Sequence, residues 1–313
     1  MNIGFYLSSL GGSPLQSGLE RGLIELGHNV KYGTDDCDLV LVFNQCAHDP
    51  SYVYPDAKIT APIVFIDAAE YGPKGRENHT KYHHAFSRGS MTHDTKSEVQ
   101  QRKLYDMLQG RSFPYLLREM WVDQEYPDCY HPIDYPLYHL SSRTKLDTLD
   151  EYIKRTTRVA CIWGLSNPDR VSMTEVARKA RKSDVYVIEQ DGPRLPQAEY
   201  FRRLENARCT ISADGYGSGS FRMTEALVRT ALLMSPLKIK TRAPLVDGET
   251  MRDFWNTNEL KAEIIFMNEY PEGAYETYRN GFDHCHTYYT EKATAQYVLD
   301  VVASHDWSKP TWI

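Results

Sequence analysis

Apolar and polar positions along the first 70 residues alternate in blocks that read as strand, helix, strand. "NIGFYLS" is a short apolar run ending at Ser8-Ser9-Leu10-Gly11-Gly12, a loop too rich in glycine to continue a strand. Ser13 then serves as an N-cap and Pro14 as the first helical residue. Leu15, Leu19, Leu23 and Leu26 supply the apolar stripe of that helix, and Gly27 ends it. "NVKYG", "DLVLVFN" and "APIVFID" follow as strands, each apolar enough for a sheet covered on both faces. Strand, helix, strand at this spacing predicts a parallel α/β unit. Beyond it, 71–111 is polar and basic with a helix predicted near Lys96–Gln109. "FPYLLREMWV" (113–122) is a further strand candidate, and the proline-bearing "YPDCYHPIDYPLYH" follows it.

A second alternation starts after a charge-dominated stretch between His139 and Thr157. "RVACIWG" is its first strand, Ser172–Lys182 a helix, "DVYVIEQ" a strand, "PQAEYFRRLENA" a helix and "RCTISAD" a strand. The helix "FRMTEALVRTALL" and a strand at "PLKIKT" come next, and "EKATAQYVLDVVASHDW" is an amphipathic helix near the C-terminus. The fold class expected is α/β, with two Rossmann-like domains facing each other across a cleft. Residues 1–150 are expected as the N-terminal domain, 151–290 as the C-terminal domain, and 291–313 as the closing helix. Ligands of open α/β sheets bind outside the carboxyl ends of the strands, so that cleft is the default site.

Composition narrows the class. Six cysteines lie scattered without a CxxC pair, several of them inside apolar runs, which suits reduced thiols packed as small hydrophobes and removes support for a zinc ribbon. No apolar stretch approaches about 20 residues, and the first residues lack the basic start of a signal peptide. A soluble, cytoplasmic protein without a membrane partner is the expectation. The net charge of −6 argues against attraction of nucleic acid to the whole surface. That charge is unevenly spread: Lys74–Arg111 holds eight Lys/Arg against four Asp/Glu, and Leu140–Lys182 ten against five. Either segment is a solvated mixed-charge face or a local patch for a polyanion.

The stretch "ISADGYGSGSFRMTEAL" carries the most chemistry. A strand runs into Gly215, Gly217 and Gly219, and Ser220 and Phe221 open a helix. Glycines let backbone amides approach an anion, and a helix start adds partial positive charge, which together make a diphosphate-binding device. A dinucleotide fingerprint would normally sit in the first βαβ unit with an acid about 20 residues on. Here the run comes late, and Lys238, Ile239 and Lys240 stand at that distance, so an NADP-dependent oxidoreductase is retained only as an alternative. Arg222, Glu225 and Arg229 share one helix face. Arg222 can reach a phosphate at the glycine loop and Glu225 a ribose hydroxyl; the plainer reading is a surface ion ladder.

This block, with the preceding "YFRRLENAR", resembles the nucleotide-sugar site of GT-B glycosyltransferases over roughly 195–235. The resemblance implies that Arg222 contacts the donor diphosphate and Glu225 the ribose. Gly217 stands where the stricter family pattern has an additional glutamate, so no role for such a glutamate carries over. In the loop "WGLSNPDR", Arg170 corresponds to a basic residue set against the diphosphate, with Ser166 and Asn167 as donors, and a solvated loop arginine is the plainer reading. Glu189 and Gln190 end a strand where the family often holds the base or sugar, and the Gly11-Gly12 loop joins the candidate site. The co-substrate implied is a nucleotide sugar such as a UDP-sugar, with no metal and no bound cofactor. The C-terminal helix corresponds to one that such proteins return to the first domain.

Sugar transfer to a hydroxyl needs a base for the proton and positive charge at the leaving diphosphate. Asp67, at the end of "APIVFID", is the base candidate, with Glu70, His83 and His84 in reserve and helix capping as the plainer role. Direct displacement assisted by Asp67 would invert the anomeric centre. The layout is also similar to phage DNA glycosyltransferases that modify 5-hydroxymethylpyrimidines: "IVFIDAAEYGP" to their aspartate strand, "GLSNPDR" to their phosphate loop and "SFRMTEAL" to their Arg-x-x-Glu helix. That resemblance implies double-stranded DNA as a partner of the basic segment 74–111, against which the overall acidity stands. A saccharide or small-molecule acceptor, or a two-lobed binding protein without catalysis, are the other readings. His284-Cys285-His286 has no second cluster at ligand spacing, and no metal site is expected from it.

Overall fold

A computed structural model of the chain describes residues 1–7, 14–44, 58–67, 103–104, 106–118, 120–137, 143–164, 168–188, 195–212 and 221–311. Two compact units share them. The first comprises Met1–Pro136, Lys238–Arg242 and Thr290–Ile313, and the second Leu137–Leu237 and Ala243–Tyr289.

The first unit is built on a parallel sheet of β1 (Asn2–Tyr6), β2 (Asn29–Tyr32), β3 (Leu39–Asn44), β4 (Ile63–Asp67), β5 (Tyr115–Leu117) and β6 (Tyr130–Pro132), in the order β2-β1-β3-β4-β5-β6. Side chains alternate between its faces. Ile3, Phe5, Leu41, Phe43 and Val64 pack on one side with Leu15, Leu19 and Leu23 of α1 (Pro14–Glu25). Val40, Val42, Ile63, Phe65 and Tyr115 pack on the other with Leu104 and Leu108. Every residue of β3 and β4 is buried, as a strand covered on both faces requires. β2 departs from that expectation, because it is an edge strand with no residue fully buried. The strand expected over 113–122 shortens to β5, and β6 arises inside the proline-bearing stretch. As the other edge of the sheet, β6 tolerates Pro132, which has no N–H to donate. Of the helix expected near 96–109, residues 103–104 and 106–108 are helical.

The second unit opens with α2 (Leu149–Ile153), started by a capping box between Thr148 and Glu151. It continues through β7 (Thr157–Gly164), α3 (Pro168–Lys179), β8 (Ser183–Ile188), α4 (Gln197–Glu205), β9 (Ala207–Ser212), α5 (Phe221–Leu227), β10 (Ala231–Met234), β11 (Arg252–Asp253), α6 (Thr257–Glu269) and α7 (Pro271–Tyr288). Its sheet is parallel in the order β11-β10-β9-β7-β8. The helix expected to run from Phe221 to Leu233 stops at Leu227, and Ala231–Met234 pairs with Cys209–Ser212 as β10. "ALLM" is apolar in every direction and is buried throughout, so its pattern fits helix and strand equally. The Thr230 hydroxyl, donating to the Ala207 carbonyl at 2.7 Å, pins the turn between the two elements. The strand expected at "PLKIKT" reduces to an antiparallel bridge between Ile239 and Trp121 in the first unit.

The chain closes with α8 (Glu291–Ser304), which belongs to the first unit and packs along α1. Ala295, Val298 and Val301 complete the α1 side of that sheet's core. Contact is close at Gly22, where a Cβ would collide with the Glu291 backbone carbonyl. Beside it, Arg21 donates to both Glu291 carboxylate oxygens at 2.9 and 2.7 Å. Among the described residues no helix is long and apolar enough to cross a membrane.

Candidate functional site

In the second sheet the direction of strand addition reverses at β7, which lies between β8 and β9. Carboxyl ends of strands at such a reversal leave a crevice that the neighbouring elements do not fill. α3 and α5, the helices that follow β7 and β9, bring one arginine each to this crevice, in their first turns.

Arg170 is only 6% exposed. Its Nη1 donates to the Gly164 carbonyl at the end of β7, at 3.0 Å, and its guanidinium lies 5.8 Å from the Trp163 ring centre. The helix that carries it is locked to the strand: the Trp163 indole donates to Thr174 Oγ1 at 2.9 Å, and the Thr174 hydroxyl donates to the Arg170 carbonyl at 2.6 Å. Arg170 was expected in a loop, and the structure places it inside α3, which begins at Pro168 rather than near Ser172. Arg222 is half-buried, and its Nη1 is 3.5 Å from the Ile162 carbonyl. Both arginines line one small recess together with Trp163, Tyr200, Thr210, Ser212 and Ala226. Both guanidinium groups thus bring positive charge to the wall of a recess of about 10 Å³, which Ile162, Leu204 and Ile211 also line.

Glu225 is buried one turn after Arg222, and the Tyr200 hydroxyl of α4 donates to its carboxylate. Burial first, then the Glu225 charge, pushes the Tyr200 hydroxyl above its usual pKa. Arg229, expected on the same helix face, lies beyond the end of α5 and turns into the core. Its guanidinium stacks 3.7 Å from the Phe201 ring centre and lies 3.4 Å from Glu205. Burial draws its pKa below the usual arginine value, a cost these partners offset. The expected face thus separates into Arg222 lining the recess, Glu225 buried one turn on against Tyr200, and Arg229 as a packing residue.

Asp67 lies in the first unit, at the carboxyl end of β4, and is buried. Across the sheet its neighbours are Asn44 on β3 and Leu117 on β5, and the Tyr115 hydroxyl donates to its Oδ2 at 3.1 Å. Gly11, Gly12, Glu70, His83, His84, Ser166, Asn167, Glu189, Gln190, Gly215, Gly217, Gly219 and Ser220 lie outside the described residues, and Phe221 is the first residue of α5. Reading the sequence missed Tyr200 and Tyr115. Tyr200 follows the expected lead-in helix by register, one turn before Leu204, and that spacing was its available signal.

Other candidates resolve more plainly. Arg111, the last cation of the basic segment, donates to the Ile59 and Ala61 carbonyls at 2.7 and 2.6 Å, so its charge is spent inside the first unit. Residues 74–102 lie outside the described residues. His284 and His286 meet different backbone carbonyls, those of Ala243 and Arg143, while Cys285 is buried. Among the described residues no group of His, Cys, Asp or Glu could hold a metal ion. Lys238 and Lys240, the cations that a dinucleotide reading would use, belong to the first unit.

Solved structures share this architecture. HepE from Anabaena, in complex with UDP and glucose, has a TM-score of 0.53 at 10% identity, over 97% of this chain and 100% of that one. The same protein in complex with UDP-glucose gives a TM-score of 0.51 at 9% identity, over 97% and 99%. The fold is of the GT-B class. TarM gives a TM-score of 0.51 at 10% identity over 93% of this chain, which spans only 58% of TarM. No protein-family model matches the chain, and no curated protein sequence does.

Proposed function

We propose that the protein is a nucleotide-sugar-dependent glycosyltransferase. The observation that carries this reading is the convergence of Arg170 and Arg222 on one recess at the strand-order reversal of the second sheet, with Glu225 one turn away. In this reading the two guanidinium groups hold the donor diphosphate and stabilise the charge that develops as it leaves. Glu225, oriented by the Tyr200 hydroxyl, takes a ribose hydroxyl. Gly215, Gly217, Gly219, Ser220 and Phe221 approach the diphosphate through their backbone amides, Ser166 and Asn167 add donors, and Glu189 takes the base or sugar. That HepE holds UDP and glucose in a similar fold supports a UDP-sugar as the first donor to try.

Asp67 is the base of this reaction. Its carboxylate accepts the acceptor hydroxyl's proton as the oxygen bonds to the anomeric carbon and the nucleoside diphosphate departs, inverting the centre. The acceptor is 5-hydroxymethylpyrimidine in duplex DNA, a choice that rests on the aspartate strand, phosphate-loop and Arg-x-x-Glu motifs together. A screen of UDP-, GDP- and CDP-sugars by thermal stabilisation, followed by transfer of labelled sugar to hydroxymethylated and unmodified duplexes, tests both levels. One sugar nucleotide should raise the melting temperature by mass action, and label should enter only the hydroxymethylated duplex. Asp67→Asn should abolish transfer and leave donor stabilisation intact. Transfer to saccharides alone would overturn the DNA acceptor; stabilisation by NADPH and by no sugar nucleotide would overturn the whole reading.

A further inference from the structure

The second unit holds another cavity, at the far end of β7 from the arginine pair. Arg158 stands near the start of that strand and Gly164 at its end, and six residues at about 3.3 Å each separate them by roughly 20 Å. The cavity lies between α3 and α6, has a volume of about 530 Å³ and shares no lining residue with the arginine recess. Sites for small organic ligands span about 300–1,000 Å³. Its aliphatic surface comes from Val176, Ala180, Ile264 and Ile265. Lys179, Arg181 and Lys261 are exposed around it, and Arg158 is half-buried. None of these four cations has a carboxylate within 4 Å among the described residues, and Glu269 is the single acid in the lining.

Asn268 of α6 adds an independent observation. It lines the cavity and is only 7% exposed. Its Nδ2 donates to the Ile264 carbonyl at 2.6 Å and to the Arg158 carbonyl at 3.4 Å, which fixes the amide so that Oδ1 is the remaining acceptor. That Oδ1 is buried and finds no donor among the described residues. A buried acceptor without a donor carries a standing cost that a ligand's O–H or N–H would remove. The lining holds no aromatic ring, so nothing there offers a stacking surface to a nucleobase.

We propose that this cavity binds an aliphatic carboxylate whose chain also carries a hydroxyl or amide hydrogen. The hydrogen goes to Asn268 Oδ1, the chain lies against the aliphatic side chains of α3 and α6, and the carboxylate meets Lys179, Arg181 and Lys261. Burial falls in the same order, from Asn268 inside to the three cations outside.

The probe is 10-hydroxydecanoate, titrated calorimetrically into the full-length protein beside decanoate and 1,10-decanediol. One molecule of 10-hydroxydecanoate should bind per chain, and decanoate about threefold or more weakly, the worth of one hydrogen bond. The uncharged diol should show no binding. The double variant Arg181→Glu, Lys261→Glu, on exposed positions, should weaken 10-hydroxydecanoate at least tenfold without moving the melting temperature of the free protein. Ala180→Trp, which fills the cavity, should abolish binding. Equal affinity for decanoate, as a water on Asn268 Oδ1 would give, overturns the proposal. So does binding that survives charge reversal, binding lost in Arg222→Ala instead, or no binding at millimolar probe.

Discussion

Arg170 and Arg222 bring like charges to one recess, but their supports differ. Arg170 is buried against Trp163 and tied to the Gly164 carbonyl, so Arg170→Ala removes packing as well as charge. Arg222 is half-buried and held by one long contact to Ile162. Thermal denaturation without ligand should therefore show a clear loss for Arg170→Ala, on the order of 1–3 kcal/mol, and almost none for Arg222→Ala. A second residue-level expectation concerns Asp134 in the first unit. Burial pushes its pKa up to about 6, against the pull of Arg242, whose backbone N–H donates to Oδ2 at 3.0 Å, and of Arg118. The folded state then binds this proton more tightly than the unfolded chain. The group's contribution is greatest below its unfolded pKa and declines as pH rises toward 6, then stays level. Denaturation of wild type and Asp134→Asn at pH 4.5 and 7 should show wild type gaining about 2 kcal/mol relative to the variant at the lower pH. An unchanged difference between the two pH values would contradict the assignment.

Among elements, the α1–α8 contact depends on the absence of a side chain at Gly22. Gly22→Val would force α8 away from α1, and chemical denaturation should show a loss of about 1–3 kcal/mol, the usual cost of overpacking. The Arg21–Glu291 pair beside it is partly solvated and should matter far less, about 0.2–1 kcal/mol in a double-mutant cycle. Elements whose burial matched one clear period were legible in the sequence. α1 had its leucine stripe and its Gly27 stop at φ 84°, and β3 and β4 their continuous apolar runs between polar punctuation. β10 was hidden because "ALLM" directly follows a genuine helix and has no polar position to betray its period. β6 was hidden because three residues, Tyr130–Pro132, become a strand only through pairing with β5. At the candidate site, residue types at short spacing put forward Arg222 and Glu225, and the family resemblance of "WGLSNPDR" put forward Arg170. Tyr115 acts through a contact across elements, for which sequence neighbours carry no signal, and Tyr200 was marked only by its register in the lead-in helix.

The molecule as a whole consists of two units in which the chain leaves the first, builds the second and returns twice, at Lys238–Arg242 and at Thr290–Ile313. The last return supplies α8 to one face of the first sheet. A chain ending at Tyr289 should therefore lose hydrogen-exchange protection in β1, β3 and β4, while β7, β9 and β10 stay protected, because every segment of their unit remains. Equal loss in both sheets would contradict that division. Function at this scale depends on whether the second unit holds a sugar nucleotide through the arginines at the ends of β7 and β9. Calorimetric titration of the sugar nucleotide that most stabilises the protein, into wild type and Arg222→Ala, addresses this most directly. The expected result is one site per chain in wild type and affinity lower by at least about tenfold in the variant, the scale of a charge-assisted hydrogen bond. Equal affinity in the two proteins would contradict it.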